Sequence, residues 1–223
     1  MQKFATAAPI AAVLDVPAAL IRFIAADRSD TTVEILPADA SKGRDVKAAG
    51  QTTAEYEDGV LRITAAPAEN RILGNPGSVE ITVQLPAGSR VEAKTAAGEL
   101  RGTGRLGDVT FEAAQGTVKL DETASAHLTL TAGDVHVGRL DGPARITTHK
   151  GDLHITEAVR GTVELTTQAG DITIGTAPGV SATLDAGTAH GRIHNTLTNT
   201  DGPAAGLTIR ATTSYGDITA HSI

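Results

Sequence analysis

A short pattern, Gly, usually Asp, then aliphatic-x-aliphatic, recurs through the second half of the chain, with its glycine at Gly98, Gly116, Gly133, Gly151, Gly170, Gly191 and Gly216. The spacings are 18, 17, 18, 19, 21 and 25 residues. A period of this length means that each copy is one small structural unit, unable to bury its apolar face alone and obliged to stack on its neighbours.

Aligned on the glycine, the copies read as columns. Two residues after it stand Leu100, Val118, Val135, Leu153, Ile172, Ile193 and Ile218. Four after it come Gly102, Leu120, Val137, Ile155, Ile174, Asn195 and Ala220. Five before it are Ala93, Phe111, Leu128, Ile146, Leu165, Ala186 and Ala211, and seven before it Val91, Val109, Ala126, Ala144, Val163, Leu184 and Ile209. The residues between these columns are polar, so the period is two on both sides of the glycine. That alternation predicts two half-buried strands per copy with the Gly-Asp pair at the bend. A weaker third inward position is expected at Leu106, Ala124, Leu140, Val159 and Val180. Each copy thus makes a coil of about 18 residues, and equivalent strands stack in parallel about 4.8 Å apart. The expected fold is an all-β parallel β-solenoid, or β-helix, over residues 91–223.

Residues 1–90 alternate as strands without the clean period, in LIRFIAA, TTVEILP, VLRITA and SVEITVQLP, separated by DRSD, YEDG and LGNPG turns. AEYEDGVLRI reads as a hairpin turning at Asp58-Gly59. ASKGRDVKAAGQ, residues 40–51, is the candidate for a short helix or long loop. This half is expected to continue into the solenoid and cap it, because an uncovered strand edge invites association.

Composition fits a narrow interior. With 3 Phe, 2 Tyr and no Trp, small and β-branched residues must fill the core. A formal charge of -7 lacks the basic footprint of a nucleic-acid binder. The absence of cysteine removes disulfides and thiolate chemistry. The N-terminal apolar run is interrupted by Pro9, Asp15 and Pro17, and no stretch reaches the roughly 18 to 20 apolar residues of a membrane span. The expectation is a cytoplasmic protein with no membrane insertion.

The N-terminal β region, the entry VEITVQLPAGSRVEAKTAAGEL and the serial GD-aliphatic-x-aliphatic copies resemble a bacterial β-strand-repeat family of unknown function, often labelled putative adhesin. The resemblance covers nearly the whole chain. It implies a β-solenoid and supplies no catalytic residues; the adhesin label implies surface display, for which the sequence shows no clear export signal.

Asp134, His136, Asp152 and His154, in AGDVHVG and KGDLHIT, form the most pointed candidate site. On adjacent parallel strands they would lie about 4.8 Å apart on one outer face, with ligand types that suit zinc. Asp171 and His194, two coils beyond His154, extend the grid. The competing reading is a solvated face, because the same column holds Arg101, Lys119 and Thr173. Acid-base chemistry on a polysaccharide would use the same carboxylates, but no cleft is signalled. GTGRLG, residues 102–107, matches a phosphate-loop spacing, yet a strand follows where a helix should, so it reads as a corner. Paired threonines hint at an ordered-water face, which the charged neighbouring column Glu92, Thr110, His127, Arg145, Glu164, Asp185 and Arg210 opposes.

The reading is a non-enzymatic scaffold or protein-interaction module with no cofactor. The alternative is a carbohydrate-active or metal-binding protein using the outward Asp/His columns. SYGDITAHSI is expected to leave the last coil as an open edge, shielded by the 195–206 loop or available to a protein partner or to self-association.

Overall fold

The computed structural model describes residues 1–66 and 77–223. The LGNPG turn lies almost wholly outside the described residues. In chain order the elements are β1 (Gln2–Ala5), β2 (Ala11–Asp15), β3 (Ala18–Ala26), β4 (Asp30–Pro37), α1 (Gly43–Gln51), β5 (Thr52–Glu57), β6 (Val60–Ala65) and β7 (Val79–Pro86). There follow β8 (Arg90–Ala132), β9 (Val135–Leu140), β10 (Ala144–Thr147), β11 (Leu153–Ala158), β12 (Gly161–Thr166) and β13 (Ile172–Thr176). The last four are β14 (Ala182–His190), β15 (Ile193–Thr196), β16 (Leu207–Tyr215) and β17 (Ile218–Ser222).

The protein is all-β, and its strands form one large, mostly parallel sheet of β-helix-like build. The sheet runs in two tracks. One passes from the β5–β6 hairpin through β2 and β8 to β10, β12, β16 and β14. The other passes from β1 and β4 through β7, β3 and β8 to β9, β11, β13, β17 and β15. Each GD copy contributes one length of strand to each track, with its glycine at the bend.

Glycine is required there by proximity as well as backbone angle. A Cβ on Gly151, where φ is +139°, would lie 2.1 Å from the Gly133 carbonyl oxygen. The same approach recurs from Gly116 to Gly98 and from Gly216 to Gly170. Residues before and after the bend fill the interior: Val163, Leu165, Ile172 and Ile174 are all fully buried, as are Ile209, Ala211, Ile218 and Ala220. Burying each such aliphatic side chain contributes roughly 1.5 to 3 kcal/mol before ordering entropy is charged against it.

Layer order in space departs from layer order in sequence, which corrects the expected C-terminal edge. β17 pairs with β13 on one side and β15 on the other, and β16 lies between β12 and β14. The final GD copy is therefore interior, and the open end belongs to β14 and β15. Ile193 accordingly is 46% exposed while its column mates Ile172 and Ile218 are fully buried. The 195–206 loop covers part of that end: the Thr198 carbonyl accepts the Ala182 amide at 3.1 Å, Ser181 Oγ accepts the amides of Thr200 and Asp201, and Leu197 packs against the core.

The beginning of the stack uses the same insertion. β2 lies between β6 and β8, and β3 between β7 and β8. Sequence periodicity recognised β3 but passed over β1 and β2, because AAVLD is too short to display alternation. β3 lacks the glycine: Ala19 aligns with Gly98, Ile21 with Leu100 and Phe23 with Gly102. A Cβ on Gly102 would meet Leu106 and Leu120 at 2.7 and 2.8 Å, so its missing side chain makes room for theirs.

The 40–51 candidate forms α1, anchored by buried Asp45, whose Oδ1 accepts the Ser78 amide at 3.0 Å. Asp58 and Gly59 turn the β5–β6 hairpin with φ of +50° and +79°. The third inward column is displaced by one residue in two layers: Thr123 and Ala158 are buried, while Ala124 is exposed and Val159 half-buried. Thr123 is accommodated because its hydroxyl donates to the carbonyls of Gly107 and Ser125. The structure also places GTGRLG within β8, with Gly104 at φ +78° and its amide donating to Asp121 Oδ2.

Candidate functional site

The four predicted residues do meet on one outer face. His136 pairs in register with Lys119 on one side and His154 on the other, and His154 with Thr173. The two imidazoles stack with centroids 4.8 Å apart and planes within 4°. Together with Glu99, Arg101, Lys119 and Asp134 they line a shallow groove of about 370 Å³. His194 is more remote than the sequence order implied, since β17 intervenes between β13 and β15.

The aspartates perform structural work within this face. Asp134 Oδ1 accepts the Asp152 amide at 2.9 Å, and Asp152 Oδ1 accepts the Asp171 amide at 2.8 Å. Asp171 Oδ1 then accepts the Asp217 amide at 2.7 Å, and Asp217 Oδ1 the Arg192 amide at 2.8 Å. These partners are 18, 19, 46 and 25 residues apart in sequence, so the ladder follows spatial order. Bonds from Arg192, first its amide and then its guanidinium, hold the Asp217 carboxyl below its ordinary value.

A threonine column, buried at Thr167 and Thr213 and half-buried at Thr188, backs the ladder, and the sequence reading missed it. The hydroxyls of Thr167, Thr213 and Thr188 donate to the carbonyls of Gly151, Gly170 and Gly216, at 3.0 to 3.1 Å. Its signal was a threonine three residues before each of these later glycines, hidden because it occupies a phase assigned to the bend.

Parallel rings hold their nitrogen lone pairs in parallel planes. One zinc ion held at about 2.0 to 2.1 Å by both would need its two nitrogens within about 4.1 Å and converging. The stack as it stands instead sets the rings side by side, with His154 Nε2 within hydrogen-bond distance, 3.2 Å, of Thr156 Oγ1. Among the described residues no group of three or more histidines and carboxylates is gathered closely enough to hold a metal ion. Burial lowers the His154 pKa below its ordinary 6.5, and the charges of His136 and His221 add to that shift.

The neighbouring charged columns close upon themselves. Glu164 lies in register between Arg145 and Arg210 and pairs with both, at 2.7 and 3.2 Å. Arg139 likewise stands between Glu122 and Glu157, and pairs with Glu157.

A family model, Toastrack DUF4097, matches residues 78–220. The chain belongs to that family. Among solved structures, a putative adhesin from Bacteroides fragilis resembles this Toastrack chain with a TM-score of 0.60 at 14% identity, over 98% of this chain and 95% of that one. A putative adhesin from Parabacteroides merdae aligns over 100% of this chain and 95% of that one, at 12% identity and a TM-score of 0.44. At 14% identity the first likeness is one of fold. No curated protein sequence matches the Toastrack chain.

Proposed function

We propose that this Toastrack protein is a non-enzymatic, adhesin-like scaffold, built of coils of about 18 residues, that binds a protein partner, with the cytoplasm as its compartment. The observation that carries the reading is how the outer columns are used. The carboxylates that could have served acid-base chemistry accept amides of the next layer, and the charged columns alternate in sign. Such a face stabilises the stack and leaves a long rigid surface. Ala12, Leu14, Val16 and Phe23 of the N-terminal apolar run are interior residues of the stack. No helix among the described residues is long and apolar enough to cross a membrane.

Cross-linking in the native cell, followed by mapping of the linked residues, tests the proposal. A discrete protein partner linked reproducibly to one surface supports it. Turnover of a polysaccharide that disappears in Asp134→Asn or Asp152→Asn would overturn it.

The second reading, a metal-binding face at Asp134, His136, Asp152 and His154, rests on the stacked imidazoles within the groove. It requires the rings to rotate until their nitrogens converge. Zinc titration followed by calorimetry decides it: stoichiometric binding lost in the double variant His136→Ala, His154→Ala supports the metal.

A further inference from the structure

The layer at the open end is made of the same materials as the layers inside. Ile193 occupies the column of Ile172 and Ile218, and Leu184 that of Val163 and Ile209. β15 is exposed throughout, and the 195–206 loop bonds only to the first residues of the end layer in the β14 track. Because strand amides alternate in direction, the outward bond of Ala182 puts the amides of Leu184 and Ala186 on the same open side. The usual protections of an edge, a lysine, a proline or a bulge, are missing from β14.

We infer that the β14 edge receives an extended strand from a different protein, one that sets a basic residue over Asp185. The inference deepens the scaffold reading and rests on it. Charge identifies the occupant. The column running Arg145, Glu164, Arg210, Asp185 alternates in sign, and Asp185 ends it as an exposed carboxylate that makes no ion pair among the described residues. Continuing the alternation requires a cation. A second copy fits badly. Antiparallel pairing of β14 with itself, centred on Asp185, brings two Asp185 carboxylates together, and stacking head to tail sets Asp185 toward exposed Glu55 and Glu57 of edge strand β5. Strand addition of this kind draws affinity from the backbone and selectivity from alternate side chains.

The probe is a labelled peptide with the β16 sequence, LTIRATTSY, which already satisfies the inner side of β14 with Arg210 opposite Asp185. Its control carries Glu in place of that Arg. Fluorescence anisotropy with the full chain is expected to show saturable binding at least about tenfold tighter for the Arg peptide, and the Asp185→Lys variant is expected to reverse the preference. No binding up to millimolar peptide, or equal binding of both peptides, would overturn the inference. Failure of the scaffold reading is seen separately: a catalytic turnover would refute that reading without altering peptide selectivity, while partner cross-links confined to other surfaces would uphold it without this edge.

Discussion

Glu164 and Arg210 lie opposite each other on adjacent parallel strands, joined at 3.2 Å across 46 residues of sequence. Arg145 flanks Glu164 on its other side. Arg210→Glu therefore creates a run of three acids through Glu164 and Asp185. It is expected to destabilise the fold by about 1 kcal/mol more than Arg210→Ala, an excess that shrinks in high salt. Urea unfolding of both variants at two ionic strengths checks this.

The bend glycines are not interchangeable with the others. Gly151→Ala puts a methyl group 2.1 Å from a backbone oxygen at a φ of +139°, and a loss of about 3 kcal/mol or more is expected. Gly187→Ala meets nothing within 4 Å, and its expected effect is within about 0.5 kcal/mol of neutral. Thermal unfolding of the pair separates crowding from mere loss of flexibility.

The aspartate ladder depends on an acceptor oxygen more than on charge. Asp171→Ala removes the acceptor for the Asp217 amide and is expected to cost about 1 kcal/mol, whereas Asp171→Asn retains an acceptor and recovers most of it. Hydrogen exchange at the Asp217 amide should accelerate in the alanine variant alone.

His154 makes stability depend on pH near neutrality. Its folded pKa is depressed by burial, then by His136 and His221, so the fold favours the neutral ring. Its contribution is intact above the unfolded value near 6.5 and is lost as pH falls from there through the folded pKa. His154→Thr, which borrows the residue at Thr173 in the next layer, should flatten the dependence of the urea midpoint across that window. A slope unchanged by the substitution would place its origin elsewhere. Asp217 acts in a lower window: its depressed pKa holds stability above 3.8 that is lost on further acidification.

Much of this fold could be read from periodicity, because a parallel stack repeats the same physical demand at each layer. The aliphatic columns at Val163 and Ile172 and the bends at Gly151 and Gly170 declared themselves this way. β2 and β1 did not, being short strands with no glycine of the repeat. Layer order was also hidden, since Leu184 and Ile209 are equally apolar and either could follow Val163. The charges held the missing clue: Asp185 beside Glu164 would repel, while Arg210 beside Glu164 attracts. Of the candidate site, its membership was legible and its roles were not, because a sequence shows Asp152 beside Gly151 without showing whose amide its oxygen receives.

The insertion of β16 and β17 between layers that precede them also has a meaning in time. During synthesis β14 and β15 leave the ribosome first, when the exposed edges of β12 and β13 are the places they would dock. A chain that settled there would shut its own final strands out of their slot. Docking of β14 on β12 would set Asp185 against Glu164, a like-charge contact that the native order replaces with the Glu164–Arg210 pair.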